Sequence, residues 1–305
     1  MTETNGSETP RPDSTDLLRQ VLDLEYQAII DSKKIYTGTT PPQYGGRVFG
    51  GQVLAQALIA AGDTVDDERH LHSMHAYFVR PGDAQVPINF VVEEVRDGRS
   101  FSVRHVAAQQ HGKTILTLTC SFQAEASGMD FFQPMPQGMP DPRSIPSTEE
   151  LLGGIDHPQA QQMASRRPFD IRMISEPVYI GPAQERSSQT ACWLKTFSGI
   201  ALGHNQQAAA LAYAADYMPF DPILRQAGLF WATPGISMAS LDHAMWFHRP
   251  IKVDEWMLYV LSNPSTQSAR GTSIGQFYST AGDLIATVAQ EGMIRTPDDD
   301  NAPSS

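Results

Sequence analysis

Five polar side chains stand where the surrounding pattern is apolar. Ser240, Asp242 and His243 sit in the run Ser237-Met-Ala-Ser-Leu-Asp-His-Ala-Met-Trp-Phe-His-Arg-Pro250, and Gln290 interrupts Thr287-Val-Ala-Gln-Glu-Gly292. Asp216 closes a stretch that is otherwise Ala, Leu and Tyr. A polar group buried without a partner costs roughly 1–3 kcal/mol, so such residues either have partners or line a pocket. A carboxylate, a hydroxyl and an amide around one point can hold a water: Asp216 takes its proton, while Ser240 and Gln290 fix its orientation toward an electrophile. That is hydrolysis without a covalent intermediate. A serine nucleophile would need a base such as His243 within reach, and no G-x-S-x-G elbow surrounds any serine.

Strand alternation places Ser240, Asp242, Ala244 and Trp246 on one face, and Leu241, His243, Met245 and Phe247 on the other. Upstream, Gly45-Gly-Arg-Val-Phe-Gly-Gly-Gln52 leads into an apolar, small-residue helix beginning at Val53. It lacks the spacing of a P-loop or dinucleotide-binding turn. Gly50, Gly51 and Gln52 instead offer backbone N–H groups at a helix N-terminus, which can stabilise negative charge developing on an oxygen; a tight turn into a buried helix explains the same glycines. His70, His72 and His75 lack a matching acidic or cysteine set, so no metal is expected.

The elements that must position these groups occur twice. Met74-His-Ala-Tyr-Phe-Val-Arg-Pro81 resembles His243-Ala-Met-Trp-Phe-His-Arg-Pro250; Arg80 against Arg249 and Gly112 against Gly282 give offsets of 169 and 170 residues. A period this long means a duplicated domain. Each half reads as a helix, an Arg-Pro strand, a second strand and a Gly-turn hairpin. Cys120 holds the place of Gln290 in the first half, so the second half is the catalytic candidate.

A helix from Ser14 or Thr15 through Ile29 is expected from its apolar spacing. Strands follow at 74–79, 88–95, 101–109 and 114–122, with turns at Asp97-Gly98 and His111-Gly112-Lys113. Five prolines between Pro134 and Pro146 mark a linker containing a short helix, 147–152, and a strand from Asp170 to Ile174 that begins the second sheet. A strand at 193–197, a helix at 205–216 and strands at 237–248, 256–262, 269–279 and 284–295 complete the second half. Expected boundaries are a loose tail at 1–13, a first domain at 14–123, a linker at 124–180, a second domain at 181–296 and a tail at 297–305.

The 305 residues carry 41% hydrophobic and 18% charged side chains, normal for a globular chain of two domains. A net charge of −12 argues against nucleic-acid binding. The two cysteines, no leader pattern and no membrane-spanning run point to a cytoplasmic protein without a membrane anchor.

The runs Phe49–Leu58, Leu71–Asp83, Arg96–Ser102, Leu211–Asp216, Leu241–Pro250, Ser268–Gly271 and Gln290–Gly292 resemble, in order, those of the acyl-CoA thioesterase II family, which consists of two fused hotdog domains. The resemblance implies an α+β double hotdog: two tandem domains, each a curved antiparallel sheet wrapped around a central helix. It implies hydrolysis of fatty acyl-CoA to free fatty acid and CoA, with Asp216, Ser240 and Gln290 orienting the water, no cofactor, and a homo-oligomer, a dimer or tetramer. Ser240 stands where Thr also occurs in the family. Asp130-Phe131-Phe132 departs from the family pattern.

Asp242, His243 and Arg270 are further substrate-binding candidates. Arg80, Arg99, Arg104 and Arg249 join Arg270 as either CoA-phosphate contacts or structural ion pairs. Two other readings compete. A hotdog hydratase or dehydratase would use Asp242 with His243, against which their opposite facing counts; a non-catalytic acyl-CoA-binding protein would not need three water-orienting groups.

Overall fold

The computed structural model describes residues 14–41, 46–165 and 167–296. Both expected tails and Gly45 lie outside the described residues. The first half holds α1 (Ser14–Leu22), β1 (Glu25–Ile30), β2 (Lys33–Gly38), α2 (Gly50–Gly62), β3 (Arg69–Phe78), β4 (Ile88–Asp97), β5 (Phe101–Gln110) and β6 (Lys113–Ala124). Between the halves lie α3 (Thr148–Leu152) and α4 (Pro158–Ser165). The second half holds β7 (Phe169–Met173), β8 (Gln189–Thr196), α5 (His204–Ala215), α6 (Asp221–Ala227), β9 (Ser237–Ser240), β10 (Asp242–Phe247), β11 (Met257–Gln267), β12 (Arg270–Ser279) and β13 (Leu284–Arg295).

Strand order is β1-β2-β4-β5-β6-β3-β10-β13-β12-β11-β8-β7, every pairing antiparallel, with β9 attached to β13. Read from each end toward the β3–β10 junction, the order repeats, which is the double hotdog. Each sheet curves around one helix, helped by bulges in several pairings. The helices α2 and α5 pack on each other at the centre. Their Ala and Gly residues permit this closeness: a Cβ on Gly51 would lie 2.4 Å from the Tyr213 carbonyl oxygen. Gly112 and Gly282, the paired turn glycines, both take positive φ, 69° and 92°.

Two expectations change. The first helix ends at Leu22, and Ile29 lies on β1, because Asp31 and Ser32 form a hairpin turn with φ of 49° and 63°. Such turns favour Asn-Gly, so Asp-Ser gave a weak signal and the β1–β2 pair went unread. The strand expected from Asp170 to Ile174 is present as β7 and opens the second sheet from inside the 124–180 stretch. The continuous strand expected at 237–248 is broken: Ser240 pairs with Gly292, while Ala244 pairs with Ala289, so one extra residue bulges between them. Leu241 sits in this bulge, its N–H bonded to Glu291 O and its carbonyl accepting from Phe78 N, both at 2.9 Å.

Candidate active site

That bulge reorders the polar groups. An extra residue reverses side-chain parity, so Ser240 turns to the side of His243 and Gln290 instead of sharing a face with Asp242. Gln290 Nε2 donates to Ser240 Oγ at 2.8 Å, and Gln290 Oε1 is bonded to His243 Nδ1. Since the amide nitrogen faces Ser240, the oxygen faces His243, and the imidazole Nδ1 must carry the proton. Burial lowers the His243 pKa to about 4 against the opposing pull of Gln290, so the ring is a neutral, fixed donor.

Asp216 caps the C-terminus of α5 and meets these groups from the helix side. Its Oδ2 stands against the start of α2: a Cβ on Gly50 would lie 2.6 Å from it and 2.9 Å from the Phe78 ring. Burial pushes the Asp216 carboxyl up to about 7, while the side chain of Gln290 and the backbone N–H of Gly51 hold it lower than burial alone would. Asp216 Oδ1 is buried and has no hydrogen-bond partner among the described residues. A carboxyl that exchanges its proton near neutrality suits general-base work.

A cleft of about 330 Å³ opens over this point. Gly50, Asp216 and Ser240 line it with Val48, Val53, Phe78, Leu116, Met238 and Leu241, and Arg47 and Arg80 are part of its wall. Both halves therefore build it. Phe78, Leu116 and Met238 were not singled out from the sequence; apolar lining residues look like core until a cavity shows otherwise, although Phe78 lies inside the repeated Arg-Pro segment.

The remaining candidates separate. Gln52 N–H bonds Phe49 O at 3.1 Å and its amide turns to Thr39 O, Thr40 and Gln56, so it is no carbonyl donor. Gly51 N–H faces Asp216, leaving Gly50 at the cleft. Asp242 turns away and accepts from Glu291 N at 2.7 Å. His243 supports Gln290 from beneath and is fully buried. Arg270 pairs with Glu291 at 3.2 Å, outside the cleft. Arg104 is 1% exposed and binds Asp97 and Thr64, a structural role; Arg249 pairs with Asp130. His70 stacks on His204 with ring centroids 3.8 Å apart, and among the described residues no cluster of three or more His, Cys, Asp or Glu could hold a metal.

The first half shows the same place without chemistry. Leu71, Met74 and Cys120 take the positions of Ser240, His243 and Gln290; all three are buried, and Met74 pairs with Cys120 across the strands. Asp63, the C-cap of α2 as Asp216 is of α5, instead accepts from the Tyr36 hydroxyl at 2.6 Å.

Known proteins match the chain closely. The family model for the acyl-CoA thioesterase N-terminal domain matches residues 39–123, and that for the C-terminal domain matches residues 140–294. The chain is 35% identical over 289 residues to acyl-CoA thioesterase 2 of Haemophilus influenzae, covering 92% of this chain and 99% of that protein. It is 36% identical over 261 residues to acyl-coenzyme A thioesterase 8 of Homo sapiens, covering 82% and 81%. An acyl-CoA thioesterase II from Mycobacterium marinum, solved by crystallography, aligns with a TM-score of 0.73 at 34% identity over 92% of this chain and 97% of that one.

Proposed function

The chain belongs to the acyl-CoA thioesterase family and is a thioester hydrolase, and from that premise we propose that Asp216, Ser240 and Gln290 hold the attacking water for fatty acyl-CoA. The observation that supports this most is the Ser240–Gln290 hydrogen bond, 2.8 Å, formed beside a carboxyl whose pKa burial raises to about 7.

Asp216 accepts a proton as the water oxygen adds to the thioester carbonyl carbon. The C–S bond then breaks, the sulfur takes the proton, and free acid and CoA leave. Gln290 spends one amide N–H on Ser240 Oγ, so the Ser240 hydroxyl proton is left to point at water or carbonyl. Gly50, at the N-terminus of α2, lies where a backbone N–H can polarise the carbonyl. The apolar wall of Val48, Val53, Phe78, Leu116 and Met238 suits an acyl chain. Asp242 and His243 make bonds in opposite directions, which argues against a dehydratase dyad.

A cytoplasmic homo-oligomer belongs to the same proposal. Two buried free thiols suit a reducing compartment. Edge strand β1 exposes Tyr26, Ile29 and Ile30 at 51%, 60% and 56%, as a subunit contact would. Among the described residues no helix is long and apolar enough to cross a membrane.

Free-thiol release from acyl-CoA tests the site. Wild type should release thiol, and Asp216→Asn and Gln290→Ala should each slow it by at least about 10²-fold; either variant turning over at the wild-type rate would remove that residue from the mechanism.

A further inference from the structure

The duplication supplies an internal control for the mouth of the cleft. Arg80 and Arg249 are equivalent in sequence, and the structure repeats their setting: Val79 N–H and His248 N–H donate to Ile115 O and Ile285 O, each at 2.8 Å. Around the two arginines the charges differ. Arg249 donates twice to Asp130, at 2.7 and 2.8 Å, lies 3.9 Å from Asp283 and stands 4.9 Å over the Phe132 ring. The segment continues along the second half, Gln133 accepting from Gln276 at 2.9 Å and Met135 lying where a Cβ on Gly282 would come within 3.9 Å of it.

At the first-half copy nothing comparable is present among the described residues. Arg80 is exposed, its Nη1 donates to Thr114 O at 2.7 Å, and it makes no ion pair with any described residue. Lys113 stands where the second half has Asp283, so the carboxylate that faces Arg249 is replaced by a cation. A Cβ on Gly112 would meet nothing within 4 Å, whereas one on Gly282 would come within 3.9 Å of Met135. Arg80 and Arg47 line the same cleft as Asp216 and Ser240. In a chain of net charge −12, two arginines at the cleft and a lysine beside Thr114, whose carbonyl Arg80 bonds, have no carboxylate partner among the described residues and form a local anion site.

We propose that Arg80, with Arg47 and Lys113, binds the phosphate groups of the CoA half of the substrate, and that Asp130 of the linker fills the duplicate of this site at Arg249. One chain then takes one CoA. The assignment rests on hydrolysis occurring in the Asp216 cleft. It places the phosphates at the mouth and the thioester at the floor, and it makes the linker segment at 130–135 a built-in plug for the inactive copy.

The test compares acyl-CoA with the S-acyl-pantetheine thioester, which has the same reacting group and no phosphate. In Arg80→Ala the ratio of kcat/KM for acyl-CoA to that for acyl-pantetheine should fall about tenfold, through KM, as expected for loss of a charge-assisted contact at a solvent-exposed site. Arg47→Ala and Lys113→Ala should lower it less, and Arg249→Ala should leave it unchanged. An unchanged ratio in Arg80→Ala, Arg80→Glu and Lys113→Ala alike, or an equal fall in Arg249→Ala, overturns the proposal. Calorimetric titration with free CoA separates this from failure of the hydrolytic site: weaker CoA binding in Arg80→Glu with wild-type turnover in Asp216→Asn would keep the phosphate site and discard the water site. Two CoA molecules per chain would also overturn the plugged duplicate.

Discussion

His243 Nδ1 donates to Gln290 Oε1, and this one bond fixes which way the Gln290 amide faces. With the oxygen held beneath by a neutral, fully buried imidazole, both amide N–H groups point up, one to Ser240 Oγ at 2.8 Å and the other toward Asp216. His243 is therefore a positioning residue that never needs to touch the substrate. The first half, where Met74 packs on Cys120, shows that an apolar pair fits the same place in the fold.

The pair should accordingly act as one unit. His243→Met should lower kcat by about 10-fold or more with KM little changed, Gln290→Cys should lower it further, and the double variant should be no worse than Gln290→Cys alone while keeping its thermal stability. A double-mutant cycle in kcat measures this; additive losses would separate the two roles.

Asp216 governs the pH dependence. The base form of a carboxyl raised to about 7 by burial is half populated near neutrality, so kcat/KM should climb through a midpoint near pH 7 to a plateau. His243 should leave no inflection there, since its burial pushes its own titration down to about 4. A profile already flat from pH 5 to 8 would exclude Asp216 as the titrating base.

The same carboxyl costs stability, and the sign follows from linkage. Its folded pKa of about 7 lies above the unfolded 3.8, so the folded state holds the proton more tightly between those values. The resulting stability is full below pH 3.8 and is lost as pH rises through 7. Asp216→Asn stays neutral throughout, so its urea-unfolding free energy should gain on wild type by roughly 2–4 kcal/mol between about pH 4 and pH 8. An inactive but more stable variant is the expected outcome.

Gly50 and Gly51 should fail differently. A Cβ on Gly51 would meet the Tyr213 carbonyl oxygen at 2.4 Å, where two helix backbones touch, so Gly51→Ala should cost about 1–3 kcal/mol of unfolding free energy. A Cβ on Gly50 meets Asp216 Oδ2 at 2.6 Å, so Gly50→Ala should lose kcat out of proportion to its Tm. Parallel measurement of both quantities for the two variants checks the distinction.

Much of this was legible in the chain itself. Repetition of the Arg-Pro strand and the Gly turn gave the duplication, the alternating Val, Ile and Phe runs gave most strands, and Asp216, Ser240 and Gln290 stood out because polar groups in apolar patterns demand partners. Where the local signal was weak the reading failed: Asp31-Ser32 turns as tightly as Asn-Gly but does not look like it, so β1 and β2 were read as the end of a helix and its exit.

The sequence alone determined which residue types are available and that they come in two copies, because composition and period are properties of the chain. Tertiary structure decided which of them meet. The bulge at Leu241 shows why: one added residue reverses parity, brings Ser240 to Gln290 and leaves Asp242 facing Glu291 N. Pairing register is settled by a partner strand about fifty residues away, and Asp216 reaches the same point only because two glycines let α2 and α5 touch.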